Sequence, residues 1–263
     1  MKIDIYNFII NEMIKILPLK SPNNKYTHQI IFDSLIFILK SAISWNSKII
    51  INNNIVYTNS IYKHFIILTK MNFFIKTLKK INNKFFSQTL NESTYYSVDS
   101  SFIANKNCSI KNIKRNPFKS NKFGFKISVI TNNNNIPINI FFAGGNQHDL
   151  TILRQQLNKI TLTKYLKNNT LLADKGYRSC KFKDQLNLNN TKILLPKNKE
   201  FYPENNDDKK IYKKRIYIEH FFARMKNYKR LSFNFEKHAK NFNSFIILSF
   251  LQLYITGYIG SNF

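Results

Sequence analysis

Three acidic residues carry the chemistry that can be read from this sequence: Asp99 in "YSVDSSFI", Asp174 in "LLADKGYRS" and Glu219 in "RIYIEHFFARMK". The chain has 41 Lys+Arg against 14 Asp+Glu, a formal net charge of +27. A carboxylate inside such a surface weakens its attraction for polyanions, so each one needs a reason. An acid is disfavoured within a strand, yet Asp99 and Asp174 both occur in strand context. At the C-terminal end of a strand, an acid sits where open α/β sheets build their sites. Taken singly, each also reads as a turn former or a helix cap. Taken with Glu219 they form an all-oxygen ligand set suited to Mg²⁺ or Mn²⁺. Two such ions, about 3.5–4 Å apart, activate an attacking oxygen and stabilise the leaving oxygen of a phosphodiester. On this reading the acids hold metal while the surrounding Lys and Arg hold DNA.

Glu219 lies in the stretch "IYKKRIYIEHFFARMKNYKRL". At about 100° per residue, Tyr212, Arg215, Glu219 and Lys226 fall at roughly 0, 300, 340 and 320° on one helix, a single narrow stripe. The plainer alternative is a solvated face, on which Arg215 and Glu219 form an i,i+4 pair worth about a few tenths of a kcal/mol. Arg suits bidentate phosphate contact and Lys supplies a point charge. Lys126, in the strand "GFK", reads equally as a DNA contact or as an exposed strand lysine. In "GGNQHDL", His148 and Asp149 read first as a helix N-cap and a first-turn acid, and second as residues supporting the site.

The positive field has nucleic acid as its natural partner, ahead of a membrane surface. Part of the charge follows from a Lys-, Asn- and Ile-rich composition of the kind A/T-rich coding produces. Cys108 and Cys180 are far apart, without His or Cys companions at ligand spacing, which argues against zinc and for reduced or buried thiols in a cytosolic protein. The N-terminus does not have the form of a secretion signal. The segment "FIILSFLQLYITGYIG" contains Gln252, Thr256 and two glycines and is short for a bilayer, so a buried core helix is expected there.

The elements that must position these residues divide near residue 90. Before it, apolar residues recur at helical spacing, as in "IIFDSLIFILKSAISW" and "IYKHFIILTKMNFFIKTLKKI". A small all-helical unit over residues 1–90 is expected, either a DNA-binding bundle or a packing domain. The Asn-rich "NSKIIINNNIVYTNS" reads as a separator between helices. From Tyr95 the period shortens, and "YYSVDSSFIA", "GFKISVITN", "IPINIFFAG", "TLLADKGY" and "TKILLPKN" read as strands. A crossover helix in "NQHDLTILRQQLNKI" and a short one in "YRSCKFKDQL" lie between them. An exposed connection, "KNKEFYPENNDDKK", then leads to the closing helices. The order implies an α/β sheet flanked by helices over residues 91–263.

With these residues in place, the chain resembles a bacterial insertion-sequence DDE transposase of the group numbered five within the wider group numbered four. The resemblance rests on "YSVDSSFI", "FGFKISVITNNNNIPINIFFAGGNQHD", "LLADKGYRS" and "YKKRIYIEHFFARMK", and runs from about Tyr95 to the C-terminus. The last stretch gives the family signature in full: Tyr212, two residues, Arg215, three residues, Glu219, six residues, Lys226. The resemblance implies an RNase H-like core with Asp99, Asp174 and Glu219 as catalytic metal ligands, and it implies that Tyr212, Arg215 and Lys226 contact or position DNA near the cut. The implied function is binding of the element's terminal inverted repeats, metal-dependent cleavage, and joining of the 3′-OH ends to target DNA. A homodimer acting on double-stranded DNA, cytoplasmic and associated with the nucleoid, is the expected working form. A nuclease that cuts without joining, or an inactive DNA-binding relic, would share much of this sequence.

Overall fold

The structure is a computed structural model that describes residues 1–17, 25–104, 113–117, 119–158, 165–188, 190–196, 205–233 and 235–259. Cys108 and most of the acidic connection after Leu195 lie outside the described residues. The chain forms two compact units, one of Met1–Phe85 with Arg224–Ile259 and one built mainly of Phe86–Cys108 and Asn112–Ala223.

The first unit contains helices α1 (Lys2–Ile14), α2 (His28–Ser41), α3 (Thr58–Lys70) and α4 (Phe73–Phe85). Its centre is the apolar C-terminal segment, which forms a helix over Ala239–Ile255 whose side chains from Phe242 to Tyr254 are nearly all buried. Helices α1 to α4 surround it, so the closing helix completes the N-terminal bundle. Among the described residues no helix is long and apolar enough to cross a membrane.

This unit is not all helical. Residues read as a separator form a hairpin, β1 (Lys48–Ile51) and β2 (Asn54–Tyr57), with Ile51 opposite Asn54. Asn52 and Asn53 make the two-residue turn with φ of 48° and 63°. Positive φ at both positions is what such a turn requires, and Asn tolerates it well.

Arg230 is 1% exposed, beneath Trp45 and Phe245, with its guanidinium 5.0 and 5.3 Å from their rings. Its Nε donates to Glu236 Oε1 at 3.1 Å, and a terminal nitrogen donates to the Ile43 carbonyl at 2.9 Å. Removing one member of a buried pair leaves the other charge uncompensated. Glu236→Ala is therefore expected to destabilise this unit by about 3–5 kcal/mol, measurable as a lower denaturant midpoint at unchanged slope.

The second unit opens with a short helix, α5 (Ser87–Asn91), and is built, among the described residues, on a six-stranded mixed sheet: β3 (Tyr95–Ala104), β4 (Lys114–Asn116), β5 (Lys122–Asn132), β6 (Pro137–Gly144), β7 (Thr170–Leu172) and β8 (Lys192–Leu194). β3 pairs antiparallel with β5, and β5 with β4 and β6; on its other edge β3 pairs parallel with β7, and β7 with β8. The three long leading strands, β3, β5 and β6, lie side by side, and parallel β7 is reached through a crossover helix, α6 (Asp149–Leu157), as parallel pairing demands. This mixed α/β arrangement is consistent with an RNase H-like core.

Alternation along β3 decides which helix covers which face. Tyr96 and Val98 join Leu153, Leu171, Tyr177 and Phe182 in the core under α6 and the helix Cys180–Asn187. Tyr95 faces the other way and joins Leu172 and Leu194 beneath Ile211 and Tyr212.

Candidate active site

Asp99 lies within β3, which continues along β5 as far as Ala104. What ends at this level is the ladder with β7, whose last pair is Ser97 with Leu172. Asp99 and Asp174 each lie two residues beyond that pair. Strand alternation therefore puts them side by side, on the face shared with Tyr95. Asp174 leaves the sheet as the N-cap of a 3₁₀ turn, Lys175–Tyr177, accepting the Lys175 N–H at 2.7 Å. Asp99 accepts the Ser100 N–H at 2.8 Å in the same manner.

The stretch expected as one helix is broken. Asn206–Lys213 and Ile216–Lys226 form two helices, and Lys214 and Arg215 form the turn between them. Each turn residue donates its N–H three residues back, Lys214 to Ile211 and Arg215 to Tyr212, both at 3.0 Å. Tyr212 therefore does not share a helix with Glu219. Ile211 and Tyr212 pack on Tyr95, Leu172 and Leu194, and this contact fixes the first helix on the sheet. The Tyr212 hydroxyl donates to the carbonyl of Ala173, next to Asp174, at 3.3 Å.

The turn delivers Arg215 into the carboxylates. Its guanidinium donates to Glu219 Oε1 and lies 3.8 Å from Asp99 Oδ2. Arg215 is 15% exposed on its side chain, against 48% for Glu219. Burial pushes the Asp99 carboxyl up to about 6; the Ser100 N–H and Arg215 act against that rise, and Asp174 and Glu219 add to it. The Arg215 value is raised: burial acts to lower it and is outweighed by Tyr212, Asp99, Glu219 and Asp174. Burial likewise raises the Tyr212 phenol.

Asp99, Asp174, Glu219, Arg215 and Tyr212 are thus brought into one electrostatic neighbourhood. Lys226 is exposed at the end of its helix, about two turns beyond Glu219. Lys126 is placed otherwise. It pairs with Phe102, so it belongs to the face opposite Asp99, and its side chain, 12% exposed, donates to Asp149 at 2.8 Å. It is therefore not an exposed strand lysine. His148 caps α6 through Nδ1, which accepts the Leu150 N–H at 3.3 Å, as the sequence leads one to expect. The partners of Asp149, Lys126 and Ser100, were not foreseen, because both come from strands far away in sequence.

The donors facing one another are carboxylate oxygens, the chemistry preferred by Mg²⁺ and Mn²⁺. Arg215 stands among them as a cation, so the site already accommodates positive charge. Among the described residues, no three His, Cys, Asp or Glu are arranged to hold one ion.

The transposase DDE domain family matches residues 93–253. No curated protein matches the chain. DDE transposases typically use divalent metals, in keeping with the oxygen donors that meet here. The match spans more than half of the sequence and includes Asp99, Asp174 and Glu219, and the chain belongs to the DDE transposase family.

Proposed function

We propose that this chain is an insertion-sequence transposase of the group numbered five within the wider group numbered four. It binds the terminal inverted repeats of its element, cuts the phosphodiester at each end and joins the freed 3′-OH to target DNA. The observation that carries this reading is the adjacency of Asp99 and Asp174 where the β3–β7 ladder ends, with Glu219 drawn to them through Arg215.

In this reading Asp99, Asp174 and Glu219 would hold a pair of Mg²⁺ or Mn²⁺ ions, which would supply Lewis-acid activation of water and stabilisation of the leaving oxygen. The residues do the rest. Asp99 and Asp174 each use one oxygen on the next backbone N–H, which fixes the direction of the other. Tyr212 braces the strand end that carries Asp174 through its bond to the Ala173 carbonyl. Arg215 and Lys226 take DNA phosphates, Arg215 with its bidentate fork and Lys226 as a point charge. Cleavage and joining are both in-line displacements at phosphorus, so one carboxylate site serves both steps.

The helical unit is suited to holding the element ends. On α4, Phe73, Phe74, Leu78 and Ile81 are buried while Lys76, Lys79 and Lys84 are exposed. Two ends must be brought together, which calls for a homodimer in the working complex. The workplace is the DNA-containing cytoplasm.

The test is a cleavage and joining assay with Mg²⁺ or Mn²⁺ on DNA that carries the element's own ends. The wild-type chain is expected to give joined product, and Asp174→Ala and Glu219→Ala to bind the ends without cutting. Cut ends that are never joined would identify an endonuclease instead. Binding without any cutting by the wild type would identify a relic. Binding should weaken steeply with salt as counterions are released.

A further inference from the structure

Behind the carboxylate site, on the opposite face of the same sheet, a further carboxylate ties β3, which carries Asp99, to its neighbour β5. Asp149 opens α6, where the helix N-terminus favours an acid. One of its oxygens accepts two bonds, from the Ser100 hydroxyl and from Lys126 Nζ at 2.8 Å. Ser100 is on β3 and Lys126 on β5, two residue pairs apart along the ladder and on the same face. The other oxygen faces Gly176, where an added Cβ would stand 3.7 Å away. Gly176 is in the turn that immediately follows Asp174. The buried Tyr177 hydroxyl from the same turn lies within the fields of both Asp149 and Asp99.

Asp149 therefore bonds to the stretch of β3 that presents Asp99 and lies beside the turn that follows Asp174, while facing neither carboxylate's own side of the sheet. Its link to Asp99 is short. Ser100 gives its hydroxyl to Asp149 and its backbone N–H to Asp99. Pinning the Ser100 side chain on one face fixes the N–H that orients Asp99 on the other. Lys126 and the Ser100 hydroxyl donate to the same Asp149 oxygen, and the charge on Lys126 strengthens that contact.

We infer that Asp149 is a positioning residue for the DDE site: acting through Ser100 and the Lys175–Tyr177 turn, it sets the orientation and spacing of Asp99 and Asp174. The inference rests on the assignment of those two carboxylates as the reacting centre. A carboxylate that holds a ligand-bearing segment without touching the reacting groups typically contributes about 10–100-fold.

The experiment is a double-substitution cycle on the full chain with Ser100→Ala, Asp149→Asn and both together. It reads the cleavage rate and KM for element-end DNA with Mn²⁺, thermal melting, and Mn²⁺ affinity of the DNA-free protein by calorimetry. Ser100→Ala removes one hydroxyl and leaves the Lys126–Asp149 pair intact, so it tests the link even where Asp149→Asn does not fold. The expected result is a loss of about 10–100-fold in kcat and weaker Mn²⁺ binding, with KM for DNA and melting temperature nearly unchanged. The double variant should be little worse than the poorer single one, because both cut the same connection. Wild-type kcat and Mn²⁺ affinity in Ser100→Ala would overturn the inference, as would effects that multiply in the double variant. Asp99→Asn, run alongside, separates the two claims. If it still cuts DNA, the assignment of the site fails; if it does not cut while Ser100→Ala is unaffected, only the role of Asp149 fails.

Discussion

Asp99→Asn is expected to lower metal-dependent DNA cleavage by about a thousandfold or more while making the metal-free protein more stable at neutral pH. Both effects follow from one arrangement. The Asp99 carboxyl is largely shielded from water, has two further carboxylates acting on it and is only partly compensated by Arg215 at 3.8 Å. Its folded-state value of about 6 is above the ordinary 3.8. The folded chain therefore holds this proton more tightly than the unfolded chain does. The stability contributed by that proton is fully present below pH 3.8 and is lost as pH rises to about 6. Above that range Asp99 is a net cost on the order of 3 kcal/mol, which the isosteric amide removes. Part of the gain is returned because Arg215 then loses one of its partners. The expected result is a melting temperature raised by about 2–6 °C at pH 7.5 and scarcely changed at pH 4. If the amide variant melts below wild type at pH 7.5, Asp99 is not held at a cost in the metal-free protein.

That cost is also why this acid was legible in the sequence. A carboxylate between Val98 and a Ser pair in a strand has no folding advantage, so its presence points to chemistry. The same contrast exposed Asp174 at the end of "LLA". Strand periodicity located β3, β5 and β6, and the polar start of "NQHDLTILRQQL" located α6. What local reasoning could not supply were outcomes decided by distant packing. "YKKRIYIEH" contains good helix formers throughout, so nothing local signals the turn at Lys214 and Arg215. It arises where Ile211 and Tyr212 seat on Tyr95, Leu172 and Leu194. The Asn52–Asn53 turn was hidden for another reason. In a chain crowded with Asn, the residue that favours left-handed turns carries little information by itself. The partner of Lys126 was not legible because strand parity relative to Asp99 depends on the β3–β5 register, and that register places it with Ser100, under Asp149.

Arg215→Gln is expected to tighten Mn²⁺ binding by the DNA-free protein while weakening its grip on DNA. In the structure the guanidinium is bonded to Glu219, close to Asp99 and within the field of Asp174. It cannot make room by losing its proton, because the surrounding anions raise its already high value. A divalent ion entering among the same oxygens therefore meets a fixed positive charge. At about 4 Å and an effective dielectric near 20, one unit charge acts on another with about 4 kcal/mol. Removing it also restores repulsion among the carboxylates, so the net gain should be nearer to one tenfold step in affinity, about 1.4 kcal/mol. DNA offers the guanidinium another anion. A phosphate that draws Arg215 away from Asp99 and Glu219 opens those oxygens to metal, so DNA and metal should assist each other's binding by equal factors, as linkage requires. Calorimetric Mn²⁺ titrations with and without element-end DNA measure that factor directly. The wild-type chain should bind Mn²⁺ more tightly once DNA is present, and the Arg215→Gln variant should bind it tightly from the start with little further gain. If the variant and wild type bind Mn²⁺ equally in the absence of DNA, Arg215 is only a phosphate contact, and its pairing with Glu219 has no part in controlling the site.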